Sequence, residues 1–477
     1  MPTLRAPCLP WLRACALAVT IAGSLAGPTG AHAQLPPDVS AALARAKLPP
    51  DAVTLVVADV DGKAAPRLSH RAGVAVNPAS VMKLVTSFAA LEQLGPAFTW
   101  STPVFMDGTL QAGTLQGNLY IKGQGDPKLV VERLWLLLRR VQGLGISQIT
   151  GDIVLDHSAF ATVPQDPASF DGEPLRPYNA APDALLVNYK SVVMSFTPDR
   201  SANVAQVAFE PPLAGVQMQA TVPLAAVDCA DYRAALKADF SDATRIRFTG
   251  SYPATCGERV WPVAYADPGS YAARAIEGMW RHLGGKLGGK VRDGSVPAGL
   301  TPVLEAVSPT LAEVVRDINK YSNNVMAQQM FLTLSLQQKG TGTPEGSRDA
   351  IGRWWQARIG GDAPVLDNGS GLSRSERITA AALARLLQAA WASPLMPELV
   401  SSLPITGVDG TLRRSRAKAA GAAHLKTGSL RDVAGVAGYV HGASGRRYVL
   451  VAIANHPNAG AVRPAIDALI DWAAKDN

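Results

Sequence analysis

The chain has 477 residues, 47% of them hydrophobic and 17% charged, which excludes disorder over any large part and leaves room for two or three domains. Its formal charge of +7 is a mild excess with no basic cluster, so nothing argues for nucleic acid as a partner.

Arg5 and Arg13 precede an uncharged apolar run from Ala14 to about Ile21, and small and turn residues follow, ending in Ala31-His32-Ala33. That order predicts a cleaved secretory signal over residues 1–33, with the cut before Gln34. The apolar run is shorter than the roughly 20 residues of a membrane helix, and no later segment is apolar for longer, so no transmembrane anchor is expected. Losing two arginines and no acids takes the charge from +7 to +5, which suits a cell-wall surface or plain solubility equally. Cys8 and Cys15 leave with the signal, and Cys229 and Cys256 remain as a candidate disulfide of an exported protein.

A short helix over about Val39–Ala46 is followed by Ala52–Gly62, a β-branched run closing in Asp-Gly that reads as strand and turn. A helix begins near Ser80. From residue 99 to residue 299 short alternating segments are separated by Gly, Pro, Asp and Asn, the pattern of a β-rich module. Helical spacing returns at Ser308, read as an N-cap with Pro309 at the first helical position, and again over Thr379–Ala392. The chain ends strand, strand, helix, the last over Val462–Lys475. Helices and strands thus flank a β-rich middle, which predicts one α/β domain, residues 34–98 and 300–477, interrupted by an insertion.

Three short signals stand in order: Ser80-Val81-Met82-Lys83, Ser322-Asn323-Asn324, and Lys426-Thr427-Gly428 followed by Ser429. Alone each is weak, since Ser-x-x-Lys recurs at Ser415–Lys418 and Ser-x-Asn at Ser201–Asn203. Ser80 admits two readings. It is a helix cap beside a solvated lysine, or it is a nucleophile beside its base. In the second, the helix N-terminus favours a developing negative charge. Lys83 on the same face must then be neutral, which requires burial or a second cation, for which Lys426 is the candidate.

Other features read as structural. Gly284–Lys290 has Gly-x4-Gly-Lys, but Val291 replaces the Ser/Thr that a phosphate loop needs. His157, His282, His424, His441 and His456 show no metal-ligand spacing, and no cofactor is implied. Trp354 and Trp355 lie at core spacing from Ile351.

Together with "DNGSGLSR", "LPITGVDGTL", "GQGDP" and "GDIVLD", the three signals resemble the D-alanyl-D-alanine carboxypeptidase/endopeptidase family, the low-molecular-mass class C penicillin-binding proteins. The resemblance covers most of the mature chain and is strongest at its two ends. Ser80 and Ser322 are 242 positions apart, a gap that fits this family's inserted module and not a β-lactamase. The resemblance implies a transpeptidase-like domain, an antiparallel sheet flanked by helices, with two nested subdomains in the β-rich insertion. It implies that Ser80 attacks the D-Ala-D-Ala carbonyl, Lys83 takes its proton, Ser322 relays a proton to the leaving amine, and Asn324 orients Lys83 and the substrate amide. Lys426 and Thr427 would hold the terminal carboxylate, with Gly428 beside them, and the N–H groups of Ser80 and Ser429 would form the oxyanion hole. Arg374 and Asp156 fall where relatives recognise the charged end of a diaminopimelate side chain. Asn323 stands where many relatives have Asp. The implied substrates are peptidoglycan stem peptides, with β-lactams as covalent inhibitors and a periplasmic location. The rivals are a β-lactamase and a catalytically silent wall-binding protein on the same fold.

Overall fold

The computed structural model describes residues 34–161 and 165–476; the expected signal, residues 1–33, lies outside them. A five-stranded antiparallel sheet carries the α/β part, in the order Leu68–His70, Val53–Asp59, Arg447–Asn455, Val433–His441, Ala423–Leu430. Its central strands are apolar at almost every position because both faces are covered. Side chains alternate across a strand. Val449, Val451 and Ile453 therefore join the core around Phe88 and Leu387, while Leu450, Ala452 and Ala454 join a second core with Leu43 and Leu469. Helices Pro37–Arg45 and Arg463–Lys475 cover the second face; Lys83–Leu94, Leu311–Tyr321, Asn324–Lys339, Pro344–Arg358 and Ala380–Trp391 build the first. Trp355 is buried in that first core, as its spacing from Ile351 predicts.

The insertion leaves this domain at Trp100 and returns at Ser308. The two residues are directly bonded: Ser308 N donates to the Trp100 carbonyl at 2.9 Å, and Trp100 N donates to Ser308 Oγ at 2.9 Å. Between them, one sheet has the order Val291–Asp293, Ile153–Asp156, Leu119–Lys122, Ser101–Met106, Leu304–Val307. A second has the order Tyr252–Pro253, Thr221–Ala225, Val204–Glu210, Ser191–Asp199, Arg259–Ala264. The strand Leu304–Val307 pairs with Ser101–Met106 in register from Leu304↔Val104 to Val307↔Ser101. The insertion therefore closes at Val307, later than the expected boundary at 299. In the second sheet's neighbourhood Cys229 and Cys256 are joined in a disulfide.

Ser308 is not a helix cap. Its hydroxyl is taken by Trp100 N and the Pro309 carbonyl. The cap is Thr310, whose Oγ1 accepts from Glu313 N while Glu313 Oε2 accepts from Thr310 N at 2.8 Å, a reciprocal capping box on Leu311–Tyr321. Substituting Thr310→Ala is expected to lower unfolding free energy by about 1 kcal/mol, read as a shift of the denaturation midpoint in guanidinium with an unchanged slope.

Candidate active site

Ser80 is placed by a strained residue immediately before it. Ala79 before it is fully buried with φ +47°, in the left-handed region that costs a non-glycine residue roughly 1 kcal/mol or more. Asn77 locks it there: its Oδ1 accepts from Ala79 N at 2.8 Å, its Nδ2 donates to the Ser373 carbonyl at 2.9 Å, and its backbone N donates to Asn455 Oδ1 at 2.9 Å. Ser80 then lies in a 3-10 turn, Ala79–Met82, ahead of the α-helix that starts at Lys83. Its side chain makes no cap, so the ordinary helix-start reading fails.

Lys83 is 0% exposed, and its Nζ donates to Ser80 Oγ at 2.9 Å, Asn324 Oδ1 at 2.6 Å and the Ser370 carbonyl at 2.5 Å. Burial lowers its pKa from the ordinary 10.5 to about 7, with the charge of Glu376 pulling the other way. Of the two causes the sequence admits, burial and a second cation, burial is the one that acts. Lys426 is itself 0% exposed and pushed well below its ordinary value, by burial first and then by the charge of Lys83. Its Nζ donates to Ser322 Oγ at 2.8 Å and to the Thr427 carbonyl at 2.7 Å.

The continuous helical pattern expected after Ser308 is broken at Ser322, which takes φ +57° between Leu311–Tyr321 and Asn324–Lys339. The break gives each residue of Ser322-Asn323-Asn324 its own task. Ser322 turns to Lys426; Asn323 caps the next helix by accepting from Met326 N at 3.0 Å; Asn324 reaches Lys83. The Asn323 cap is one that Asp would make equally well. Lys426, Thr427, Gly428 and Ser429 lie on the sheet's edge strand, against the Ser80 turn. Gly428 permits that approach, since a Cβ there would lie 2.5 Å from the Pro78 carbonyl oxygen.

A fully buried carboxylate that sequence reasoning missed organises the third wall. Glu376 Oε1 accepts from the N–H groups of Asp367, Asn368 and Gly369 at 3.1, 3.2 and 2.9 Å, fixing the loop whose Ser370 carbonyl meets Lys83. Burial raises its carboxyl above the ordinary value even against those donors. Its signal was in the sequence, two residues past Arg374, but nothing local marks an acid as buried.

Ser322, Asn324 and Ser429 open on a cleft of about 870 Å³, walled on the far side by Phe170, Asp171, Tyr178 and Tyr189 of the insertion. Asn188, Tyr189 and Lys190 all have positive φ, a run that turns Tyr189 back toward Met326 on the Asn324 helix. Arg374 lines the cleft, stacked 4.7 Å over Phe170 and paired with Asp432 at 3.1 Å. Asp156 is not brought there. It is buried in the insertion, accepting from Ser158 N at 2.9 Å and Val296 N at 3.0 Å; burial raises its carboxyl, and these donors outweigh that and hold it low. The acid that does face the cleft is Asp171, held by Tyr178 and Asn179 at 2.9 and 2.8 Å on a loop with no periodic signal.

A nucleophile-ready serine, two buried lysines and an edge strand of an antiparallel sheet, in an α/β domain carrying a β-rich insertion, define a serine peptidase of the penicillin-binding class. A model of the D-Ala-D-Ala carboxypeptidase 3 (S13) family matches residues 35–476, and the chain belongs to that family. A D-alanyl-D-alanine carboxypeptidase of an Actinomadura species is 29% identical over 423 residues, covering 82% of this chain and 75% of that protein. The D-alanyl-D-alanine carboxypeptidase DacB of Haemophilus influenzae is 25% identical over 401 residues, covering 80% and 81%. The crystal structure of penicillin binding protein 4 from Haemophilus influenzae has the same fold, with a TM-score of 0.71 at 23% identity over 91% of this chain and 99% of that one.

Gly371, at φ +80°, packs against the Ser80 turn so closely that a Cβ would sit 2.0 Å from the Ala79 carbonyl oxygen and 2.6 Å from Ser80 N. Gly371→Ala is therefore expected to displace Ser80 and slow D-Ala-D-Ala carboxypeptidase turnover about 10²-fold, measured as release of D-alanine, while thermal unfolding remains a single cooperative transition.

Proposed function

We propose that the chain is an exported serine DD-peptidase that cleaves D-Ala-D-Ala ends, DD-cross-links, or both, in peptidoglycan stem peptides through an acyl-enzyme on Ser80. The observation that carries this is Lys83 Nζ at 2.9 Å from Ser80 Oγ in a pocket that lowers its pKa to about 7. At neutral pH a large share of that amine is neutral and able to accept the Ser80 proton. Below about 7 it is protonated and cannot, so acylation falls as the pH falls.

Ser80 Oγ attacks the carbonyl carbon of the penultimate D-alanine as its proton passes to Lys83 Nζ. The N–H groups of Ser80 and Ser429 stabilise the oxyanion, a contribution whose loss typically costs about 10²–10³ in rate. The C–N bond then breaks, and the proton that Lys83 took from Ser80 passes by way of Ser322, which Lys426 Nζ bonds at 2.8 Å, to the leaving amine, so that Lys83 is neutral again. Lys426 and Thr427 hold the carboxylate of the departing D-alanine, and Asn324 keeps Lys83 aimed. Water attacks the ester and gives a proton to Lys83, which returns it to Ser80 Oγ as the ester C–O bond breaks, and the shortened peptide leaves. Arg374 serves the charged end of the third stem residue from the opposite side of the cleft, and Asp171 is the acid placed to share that task.

β-Lactams meet the same serine, because their strained amide presents the same carbonyl, and ring opening leaves no departing group to vacate the site. Export is supported by the basic, apolar, small-residue order of residues 1–33 and by the Cys229–Cys256 disulfide, which suits an oxidising compartment such as the periplasm. Among the described residues no helix is long and apolar enough to cross a membrane.

The test is the intact mass of the mature protein over time with a labelled penicillin. A stable one-to-one adduct, lost in Ser80→Ala, is expected. Rapid drug turnover without an adduct would instead indicate a β-lactamase, and no adduct at all a silent binding protein.

A further inference from the structure

The main cleft does not end at the catalytic residues. Tyr321, 71% exposed, lines it and also lines a second concavity of about 600 Å³. That groove is lined by Thr411, Arg413, Arg414 and Arg463 among others. It is joined to the site by a hydrogen bond, Thr411 Oγ1 to Thr427 Oγ1, 2.8 Å. Thr427 and Ser429 share one face of the edge strand, two residues apart, Thr427 bonded to Thr411 of the groove lining and Ser429 lining the insertion-walled cleft.

The groove's charge is unbalanced. Arg413, Arg414 and Arg463 are exposed, and among the described residues none of their guanidiniums makes a hydrogen bond or ion pair. The one carboxylate lining the groove, Asp409, is already held by Lys320 Nζ at 2.6 Å and by Ile405 N at 2.8 Å. Three unspent cations therefore face a concavity that begins where the leaving group departs. Release of a lone D-alanine needs one carboxylate site there, and Lys426 with Thr427 supply it. A groove of this size with three further cations exceeds that need. It fits a longer anionic leaving group, one that carries several carboxylates on an extended peptide.

We propose that this groove is a leaving-side subsite that holds the second stem peptide of a DD-cross-link through its free carboxylates. The inference rests on the DD-peptidase reading and deepens it: it places the acyl-donor peptide in the insertion-walled cleft and the departing peptide along Thr411 and the three arginines. Exposed charge pairs of this kind are weak singly and screened by salt, so the effect belongs to the set of three and depends on ionic strength.

The experiment compares kcat and KM of the full mature protein on a monomeric pentapeptide muropeptide and on a DD-cross-linked muropeptide dimer, for wild type and for the triple variant Arg413→Gln, Arg414→Gln, Arg463→Gln. The loss of kcat/KM on the dimer is expected to exceed that on the monomer about tenfold, to sit in KM, and to come with loss of the salt dependence that wild type shows on the dimer. Penicillin acylation of the variant, which involves no leaving peptide, is the folding control. Equal losses on both substrates, no loss on the dimer, or a wild type that cleaves the monomer and leaves the dimer intact would each overturn the subsite. A wild type that cleaves neither substrate and forms no penicillin adduct would overturn the DD-peptidase reading itself, and the adduct measurement tells that failure from the others.

Discussion

An amine taken wholly out of water is the constraint around which this molecule is arranged. Burial disfavours the ammonium form of Lys83, while Asn324 Oδ1 and the Ser370 carbonyl, at 2.6 and 2.5 Å, accept from it and favour that form, as does the charge of Glu376. The balance leaves the pKa at about 7. Remove the acceptors and the group is neutral but unaimed; open the pocket and it is a solvated cation. The three partners come from positions 80, 324 and 370, so the pocket exists only when the Ser80 turn, the Asn324 helix and the Glu376-held loop meet. A second buried amine, Lys426, lies close enough for the Lys83 charge to be felt, and the repulsion favours states in which the pair carries one proton fewer than two free lysines would.

The insertion is tied into this arrangement at both its margins and its wall. Its first and last residues are clasped at Trp100 and Ser308, and the Trp100 indole donates to Thr333 on the Asn324 helix at 2.9 Å. Farther along, Gln329 of the same helix accepts from Asp183 N and donates to the Gly125 and Asp183 carbonyls. The helix that delivers Asn324 to Lys83 is thus packed against the module that forms the opposite side of the cleft. The left-handed run Asn188–Lys190 is consistent with that role, since backbone strain persists only where surrounding contacts over-determine it.

Much of this was readable in the residues, and the failures have physical causes. The serine and lysine motifs, the α/β frame and the interrupted topology follow from spacing and from where apolar periodicity changes. The Ser308 cap was misplaced because two hydroxyl residues precede the helix, and only the tertiary contact with Trp100 decides which is free to cap. The helix break at Ser322 was invisible because leucine and valine keep helical spacing across it, while one left-handed residue suffices to turn the chain. Asp156 and Asp171 exchange places for a similar reason. An Asp after a strand looks the same whether its carboxylate caps a turn or faces a cleft, and the loop around Asp171 has no period to place it. Glu376 was missed since burial of an acid is decided by the loop N–H groups that fold over it.

The account stands on Lys83 being a weak base at neutral pH. The direct measurement is an NMR titration of the mature protein with lysine side chains labelled at the Nζ-bearing carbon, the Lys83 signal assigned by its loss in Lys83→Met. A midpoint of about 7 would support burial as the activating force. A midpoint near the ordinary lysine value of about 10.4 would contradict it, and Ser80 would then need another base.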